Sequence, residues 1–512
     1  MISSIEHRRL QIDVLRIPGL GHFLRWKHSR TFMQSILFVL AAAIIVDGLL
    51  GNQIASRNVA SVAAWVHYRG LVVLALLLVG NLFCAACPFV LPRKLAKWLG
   101  KPTRRWPKAL RNKWIAIGGL LGILFAYELF DLWATPWWTA WVAVIYFGLA
   151  FLLEALFTRS SFCKYVCPLG TFNFLYSAVS PTQIMSRNLD ICRNCVGHEC
   201  INGVTNRSSN PVDQKNTSLS DSSLADTSHA IKSKPATQEI VLQDGCQLEL
   251  FVPTIQSNMD CTLCLDCVRA CPYDNVALAV RPPGDELFRQ TWRNRIDLAL
   301  LAIIAAFAGL LNAFAMTPPV FSLEAWLARV LDTQSEAIVL GLTFLVGIIV
   351  GPLILVYGAA WLGRTLAQAK EPISLNQLVI RYAYSFVPVG FVIWFAHYLF
   401  HFLIGAMTIV PTFQTFFYRT LRLALFGRPD WTLAALFVPS VSTIQTIQMI
   451  FTYGGLLVGI GVVFSAASKA HKNRQRALLE ALPWVMVLIL LAIASGYTFL
   501  QPMEMRGSGI GA

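Results

Sequence analysis

The chain has 512 residues, of which 56% are hydrophobic and only 13% charged, with a mean hydropathy of +0.57 and a formal net charge of +15. A soluble domain carries nearer a quarter charged residues, and apolar runs as long as a bilayer is thick recur along this sequence, which excludes a soluble globular enzyme. The basic residues sit in short loops between the apolar runs, a pattern that sets membrane topology and does not make a nucleic-acid surface.

Residues 1–31 read as a basic cytoplasmic lead-in (Arg8, Arg9, Arg16, Arg25, Lys27, Arg30), with an amphipathic stretch suited to the membrane surface. The Arg8-Arg9 pair does not make an export signal, because the apolar run starts too far downstream. The first two spans are expected at Phe32–Leu50 and Leu71–Val90. From Arg93 to Lys113 there are nine Lys/Arg and no acid, so this loop is read as cytoplasmic. Spans three (Trp114–Trp133) and four (Thr139–Phe157) follow around Trp137-Trp138, aromatics suited to the headgroup interface.

The polar block 181–295 carries eight of the twelve cysteines and is cytoplasmic by parity. Five further spans are expected at Leu298–Met316, Ile338–Trp361, Ala383–Val410 (with a kink at Pro388), Ile444–Ser465 and Ala481–Leu500, with basic inner loops at Arg364/Lys370 and Lys469–Arg476. The fold class is therefore an all-α polytopic membrane protein of about nine helices, N-terminus inside, with an inserted cytoplasmic ferredoxin-like α+β module. The domains are the lead-in, a four-helix membrane module (32–180), the inserted module (181–295) and a five-helix membrane module (296–512).

Within the inserted module, Cys261-Thr-Leu-Cys264-Leu-Asp-Cys267-Val-Arg-Ala-Cys271-Pro272 has the C-x2-C-x2-C-x3-C-P spacing of bacterial ferredoxins. Three thiolates so spaced wrap three corners of a 4Fe-4S cube, and the fourth usually ligates a second cube. The rival is a zinc knuckle, which usually needs two well-separated C-x2-C pairs. Upstream stand Cys192, Cys195 and Cys200, then a Ser/Asn/Thr-rich gap (202–239) that reads as a flexible surface insertion, then Cys246. Compared with a two-cluster ferredoxin, the exchange rule assigns one cube to Cys192, Cys195, Cys200 and Cys271, and the other to Cys246, Cys261, Cys264 and Cys267. The x4 spacing before Cys200 and the lack of proline after Cys246 leave zinc or a three-iron cluster as alternatives for the first half.

An internal repeat is visible in the first membrane module. Phe83-Cys84-Ala-Ala-Cys87-Pro88 is echoed by Phe162-Cys163-Lys-Tyr-Val-Cys167-Pro168, at the same expected membrane face. These four cysteines could hold a third cluster or metal, work as two thiol/disulfide pairs, or pack as small hydrophobes.

On these motifs, including Leu169-Gly170 after the second pair, the chain resembles the NapH/NosR/CcoG-type polyferredoxin membrane proteins across roughly residues 70–290. The resemblance implies a cytoplasmic two-cluster module below paired inner-face Cys-Pro motifs, and electron movement between quinol and a partner. The chain departs from those proteins in its first motif, C-x2-C-P where they have C-x3-C-P, and in its last five spans.

A second cluster of polar residues is expected toward the outer half of the membrane. His397 and His401 lie one helical turn apart, His67 precedes span two, and Asp47, Glu128 and Asp131 fall at similar depth. They read as a quinol site, as ligands of a haem b shared with His67, or as hydrogen-bonded core groups.

No Gly-rich phosphate loop, nucleophile elbow or HExxH motif occurs. The function expected is electron transfer in the bacterial inner membrane between the quinone pool and a redox partner protein, by way of two 4Fe-4S clusters. The alternative is an assembly factor, a metal-ion or thiol reductase serving a copper or haem enzyme.

Overall fold

The computed structural model describes residues 12–205, 241–368 and 373–503. Arg8, Arg9, Lys370 and most of the 202–239 insertion lie outside the described residues. Among the described residues, eight helices are long and apolar enough to cross a membrane. They are α1 (Ser29–Leu50), α2 (Val59–Leu78), α4 (Pro136–Leu156), α5 (Ile296–Phe314), α6 (Glu336–Leu366), α7 (Leu375–Thr420), α8 (Val441–Ala470) and α9 (Arg474–Leu500), and the shorter apolar helix α3 (Trp114–Leu129) lies between α2 and α4. This is a polytopic helical membrane protein.

Local chemistry explains where these helices start. Pro136 opens α4 at a position where a missing N–H costs nothing. Ser374 and Gln377 form a reciprocal capping box at the start of α7, and Ser440 and Asn473 cap α8 and α9 with side-chain oxygens. The irregularity expected at Pro388 appears as a 3-10 turn, Ala383–Ser385, just before it in α7. Apolar residues of α5, α6, α7, α8 and α9 form one core, in which Tyr382 stacks on Trp484 with ring centroids 4.9 Å apart. One buried carboxylate in that core, Glu480, meets Arg381 at 2.7 Å, the Tyr382 hydroxyl at 2.8 Å and His471 at 2.7 Å, so its charge is fully compensated.

The second expected span is displaced. The apolar run predicts a helix over Leu71–Val90, but the chain leaves the helix after Leu78 and turns at Gly80. Gly80 has φ +120°, and a Cβ there would lie 2.7 Å from both Ser180 Oγ and Thr182 Oγ1. Hydropathy does not mark such a turn, because apolar runs stand on both sides of the Gly80-Asn81 pair.

Two compact units partition the chain. The first comprises described residues 12–30, 183–205, 241–255 and 264–280. It is built on two two-stranded sheets, β1 (Thr182–Ser186) with β4 (Val276–Val280), and β2 (Val204–Thr205) antiparallel to β3 (Val241–Gln243). Asp13 joins this unit: it bridges Ala279, accepts from Leu278 N at 3.2 Å and pairs with Arg187 at 2.7 Å.

The second unit holds all nine apolar helices apart from the first two residues of α1, and it also holds residues 256–263 and 281–295. Polar contacts within the unit account for that short segment. Asn258 donates to Ser177 O at 2.9 Å and to Thr182 O at 2.8 Å, and Asp260 meets Lys113 Nζ at 2.5 Å. The buried pair Arg281–Glu286, 2.7 Å apart, adds Asn258 N as a donor to Glu286.

Candidate metal centres

The best-formed site in the second unit is a cavity around four thiols. On one side, Asn81 caps the short helix Leu82–Ala85 by accepting from Cys84 N at 3.4 Å, and it donates to Cys261 O at 3.1 Å. Cys87 then leads into a proline-started turn, with its carbonyl accepting from Gln34 at 3.0 Å. On the other side, Cys163 sits in a π-helical turn (Phe162–Val166), and Cys167 caps the helix Pro168–Tyr176, its Sγ accepting from Gly170 N at 3.2 Å. Each half therefore runs from an irregular turn into a proline-started helical segment, as the repeat in the sequence implies.

Cys84, Cys87, Cys163 and Cys167 line one cavity, walled by Phe83, Phe89, Phe162, Leu169, Gly170, Phe174 and Thr262. About 20 Å³ of it is open to the centre of a water-sized sphere, more than the roughly 10–15 Å³ one water needs. Every one of the four thiols lies within electrostatic reach of the other three. Burial pushes the Cys84 thiol up to about 12, and burial together with the Cys163 sulfur raises Cys87 and Cys167 well above the usual thiol range. Without a cation these groups are neutral thiols, and binding of a metal is what would displace their protons. Asn173 Nδ2 reaches Cys84 Sγ at 3.5 Å, so a donor already faces a sulfur in this apolar setting.

The first unit gathers a different set. Cys192 lies in the helix Leu189–Arg193, capped by Asn188, and Cys200 in the short helix Glu199–Asn202. Cys192, Cys195, Cys200 and Cys271 are all within electrostatic reach of one another. Burial raises each of the first three thiols, Cys200 to about 11. Asn275 serves two members of the set: its backbone N–H donates to Cys271 Sγ at 3.4 Å and its side-chain amide to Cys192 Sγ at 3.1 Å. Glu199 accepts from the Cys195 thiol at 3.4 Å.

Cys246 and Cys264 are electrostatic neighbours within the same unit, and Leu250 N donates to Cys246 Sγ at 3.4 Å. Burial lifts Cys264 to about 11, opposed by Arg30. Arg30 and Arg269 hold Asp266 at 2.6 and 2.8 Å, and against the effect of burial they keep its carboxyl below the usual range. Cys267 follows in the helix Asp266–Ala270, while Cys261 belongs to the segment carried by the second unit. Leu263 (φ 54°) and Leu265 (φ 61°) are left-handed, a conformation costing about 1–2 kcal/mol per non-glycine residue and typical of ligand-clamping loops.

Among the described residues, no three His, Cys, Asp or Glu side chains close on one point as a single bound ion requires. A structural zinc site needs such a closed set. The thiolates of a cube bond to four different irons and stand further apart, and amide donors aimed at their sulfurs are part of that chemistry. Both sets bring four thiols within reach of one another and aim N–H donors at their sulfurs, the chemistry that iron–sulfur ligation uses.

The 4Fe-4S binding domain family matches the chain over residues 63–107 and 139–189. Those two stretches contain Cys84–Pro88 and Cys163–Pro168, the halves of the cavity. Over these residues the chain is similar to 4Fe-4S binding domains. Over 137 residues it is 27% identical to the methylamine utilization ferredoxin-type protein MauN of Paracoccus denitrificans (strain Pd 1222), an alignment covering 23% of this chain and 47% of the relative. The chain thus spans about half the length of the curated relative it matches. No solved structure matches it.

The outer polar residues separate. His67 has Nδ1 3.0 Å from Val62 O and Nε2 2.9 Å from Ala406 O, so both ring nitrogens face backbone carbonyls. Asp47 accepts from Val59 N and from the Thr420 hydroxyl, each at 2.7 Å, and so satisfies the first N–H of α2, whose N-cap is Asn58. Glu128 is buried near the end of α3, and Asp131 turns the chain there with φ 44°. His397 and His401 do meet, Nε2 to Nε2 at 3.1 Å, together with Met316, which sequence reasoning missed. Lys113, Asn173 and Asn275 were missed as well, because no local pattern announces a partner so distant in sequence.

Proposed function

We propose that this chain is a membrane-bound iron–sulfur protein that relays electrons between the quinone pool and a redox partner protein. One observation carries the reading: eight of the thiols sort into two sets of four, each with N–H donors facing its sulfurs, and one set coincides with the matched 4Fe-4S segments. Cys192, Cys195, Cys200 and Cys271 hold one cube, and Cys246, Cys261, Cys264 and Cys267 a second, in line with the exchange spacing of two-cluster ferredoxins. Cys84, Cys87, Cys163 and Cys167 hold a third. When bound, such clusters supply one-electron transfer.

The chain's own residues set the surroundings of that chemistry. The phenylalanine walls make the inner cavity apolar, and Gly170 N and Asn173 are among its donors. Asn275 supplies those of the Cys192 set. The charge pattern of the loops supports an inner-membrane location with the inserted module in the cytoplasm. The resemblance to the NapH/NosR/CcoG-type proteins supports quinol as the small redox partner. Haem has no place in this reading, since two imidazoles one turn apart cannot serve opposite faces of one haem and His67 is engaged elsewhere.

The test is iron analysis and EPR on anaerobically purified protein, followed by addition of quinol and quinone. About twelve irons per chain are expected, four for each set, with reduced signals that quinone re-oxidises. A chain holding no iron overturns the cluster sets. Clusters indifferent to quinone, in a protein that reduces copper ions without quinol, overturn the relay in favour of an assembly factor.

A further inference from the structure

Three soft or borderline donor atoms converge in the second unit, well away in sequence from every cysteine motif. His397 and His401 project from one face of α7, and Met316 is held just past the end of α5 by the hydrogen bond from its backbone N–H to Ala313 O. The two Nε2 atoms are 3.1 Å apart, and Met316 Sδ is 3.3 Å from His397 Nε2 and 3.2 Å from His401 Nε2. His397 and Met316 are buried and His401 is half-buried, so one ligand retains a route outward.

Hydrogen bonding does not satisfy this triangle. If one imidazole carries its proton on Nε2, that proton serves at most the edges that meet at that nitrogen, and the remaining edge presses a nitrogen lone pair against sulfur lone pairs. If both carry it there, the two N–H groups oppose each other across 3.1 Å. If neither does, all three edges are lone pair against lone pair. A cation at the centre satisfies the three donors together. The separations put the centre of the triangle about 1.85 Å from each donor, so a cation about 1 Å out of the donor plane lies at the roughly 2.0–2.1 Å at which imidazole nitrogen binds a first-row metal. His397 Nδ1 is buried without a hydrogen-bond partner, so the ring is not held in place by its other nitrogen.

We propose that His397, His401 and Met316 form a binding site for monovalent copper. The donor set selects the ion: thioether sulfur favours Cu(I), imidazole accepts it, and zinc sites take thiolate rather than thioether. Charge points the same way. The ligands are neutral, and the Arg69 guanidinium stands nearby, over the rings of Trp65, Tyr127 and Tyr398 at 4.4, 4.2 and 5.1 Å. A neighbouring positive charge penalises a divalent ion about twice as much as a monovalent one. The third ligand being methionine, the site differs in kind from any closed set of His, Cys, Asp and Glu.

The test uses the full chain in detergent or nanodiscs, anaerobic and with its clusters loaded, titrated with Cu(I) against a colorimetric Cu(I) chelator. X-ray absorption is then recorded on the copper-bound protein. Wild type should bind one extra Cu(I) with two nitrogen neighbours and one sulfur. Met316→Leu, which keeps the volume, should lose the sulfur neighbour and weaken binding by about tenfold or more, and His401→Gln should lose one nitrogen, both at unchanged iron content. Copper with sulfur neighbours alone, or spectra and affinities identical in wild type and both variants, would overturn the site.

Discussion

The inner cavity and the Cys192 set assemble the same four-thiol chemistry in opposite surroundings. In the cavity, aromatic walls surround the sulfurs, Cys84 and Cys167 are buried, and the donors include the backbone amides of Phe89, Val90 and Gly170 and the Asn173 side chain. In the first unit all four cysteines are half-buried, one asparagine serves two sulfurs, and a carboxylate touches a third. Burial raises the thiols in both places, but most strongly in the cavity, where desolvation acts on several of them at once. A cysteine motif thus names the thiols, while the elements that bring the motifs together set how deeply each set is buried.

The sharpest way to break this comparison is to remove one ligand from each set. Cys271→Ser should abolish the EPR signal of the Cys192 set, with loss of up to about four irons, and leave the cavity cluster intact. Cys167→Ser should do the reverse. If Cys271→Ser instead removes the signal that Cys264→Ser removes, the exchanged assignment fails.

Next in size is the buried ion pair that fastens the Cys261 segment. Lys113 donates from Nζ to Asp260 at 2.5 Å and to Lys164 O at 2.7 Å, and Lys113, Lys164 and Arg295 overcome burial to hold the Asp260 carboxyl below its usual range. Lys113→Met strands that charge and should cost about 3–5 kcal/mol, measured as a drop in Tm in detergent. Adding Asp260→Asn should recover most of the loss.

A smaller but direct contrast is thiol reactivity. In cluster-free protein at neutral pH, iodoacetamide should label Cys192 and Cys195 faster than Cys84 and Cys167 by at least about tenfold, because only the thiolate reacts and burial suppresses it most in the cavity. Peptide mass spectrometry over a time course measures this, and equal rates would erase the distinction.

The smallest expected effect is electronic. Asn275→Ala removes one N–H···S bond worth about 1 kcal/mol, which corresponds to a potential about 40 mV lower for a one-electron couple. Redox titration followed by EPR should show the shift in the Cys192 cluster and none in the cavity cluster.

Much of the fold was legible in the amino acids. Eight of the nine apolar stretches appear as helices of spanning length, since twenty or so apolar residues leave the backbone no better partner than itself. The cysteine spacings were equally readable, because a ligand loop is local. Boundaries were less so. The second span begins at Val59 rather than Leu71, and nothing in an apolar run reveals that Gly80 must turn to clear Ser180 and Thr182. The outer polar group shows the same limit. Asp47, His67 and the histidine pair stand at similar depth in the sequence, yet Asp47 satisfies the first N–H of α2, His67 faces two carbonyls, and only His397 and His401 converge.

Composition and periodicity alone established a helical membrane protein, and motif spacing alone pointed to iron–sulfur chemistry, since both depend on residues close together in the chain. Which cysteines share a centre, which lysine neutralises Asp260 and which methionine completes the histidine pair depend on contacts between residues far apart in sequence. Met316 and His401 lie 85 positions apart, and Cys84 and Asn173 lie 89 apart. Such pairings carry no local signature, and packing of the helices is what brings them into contact.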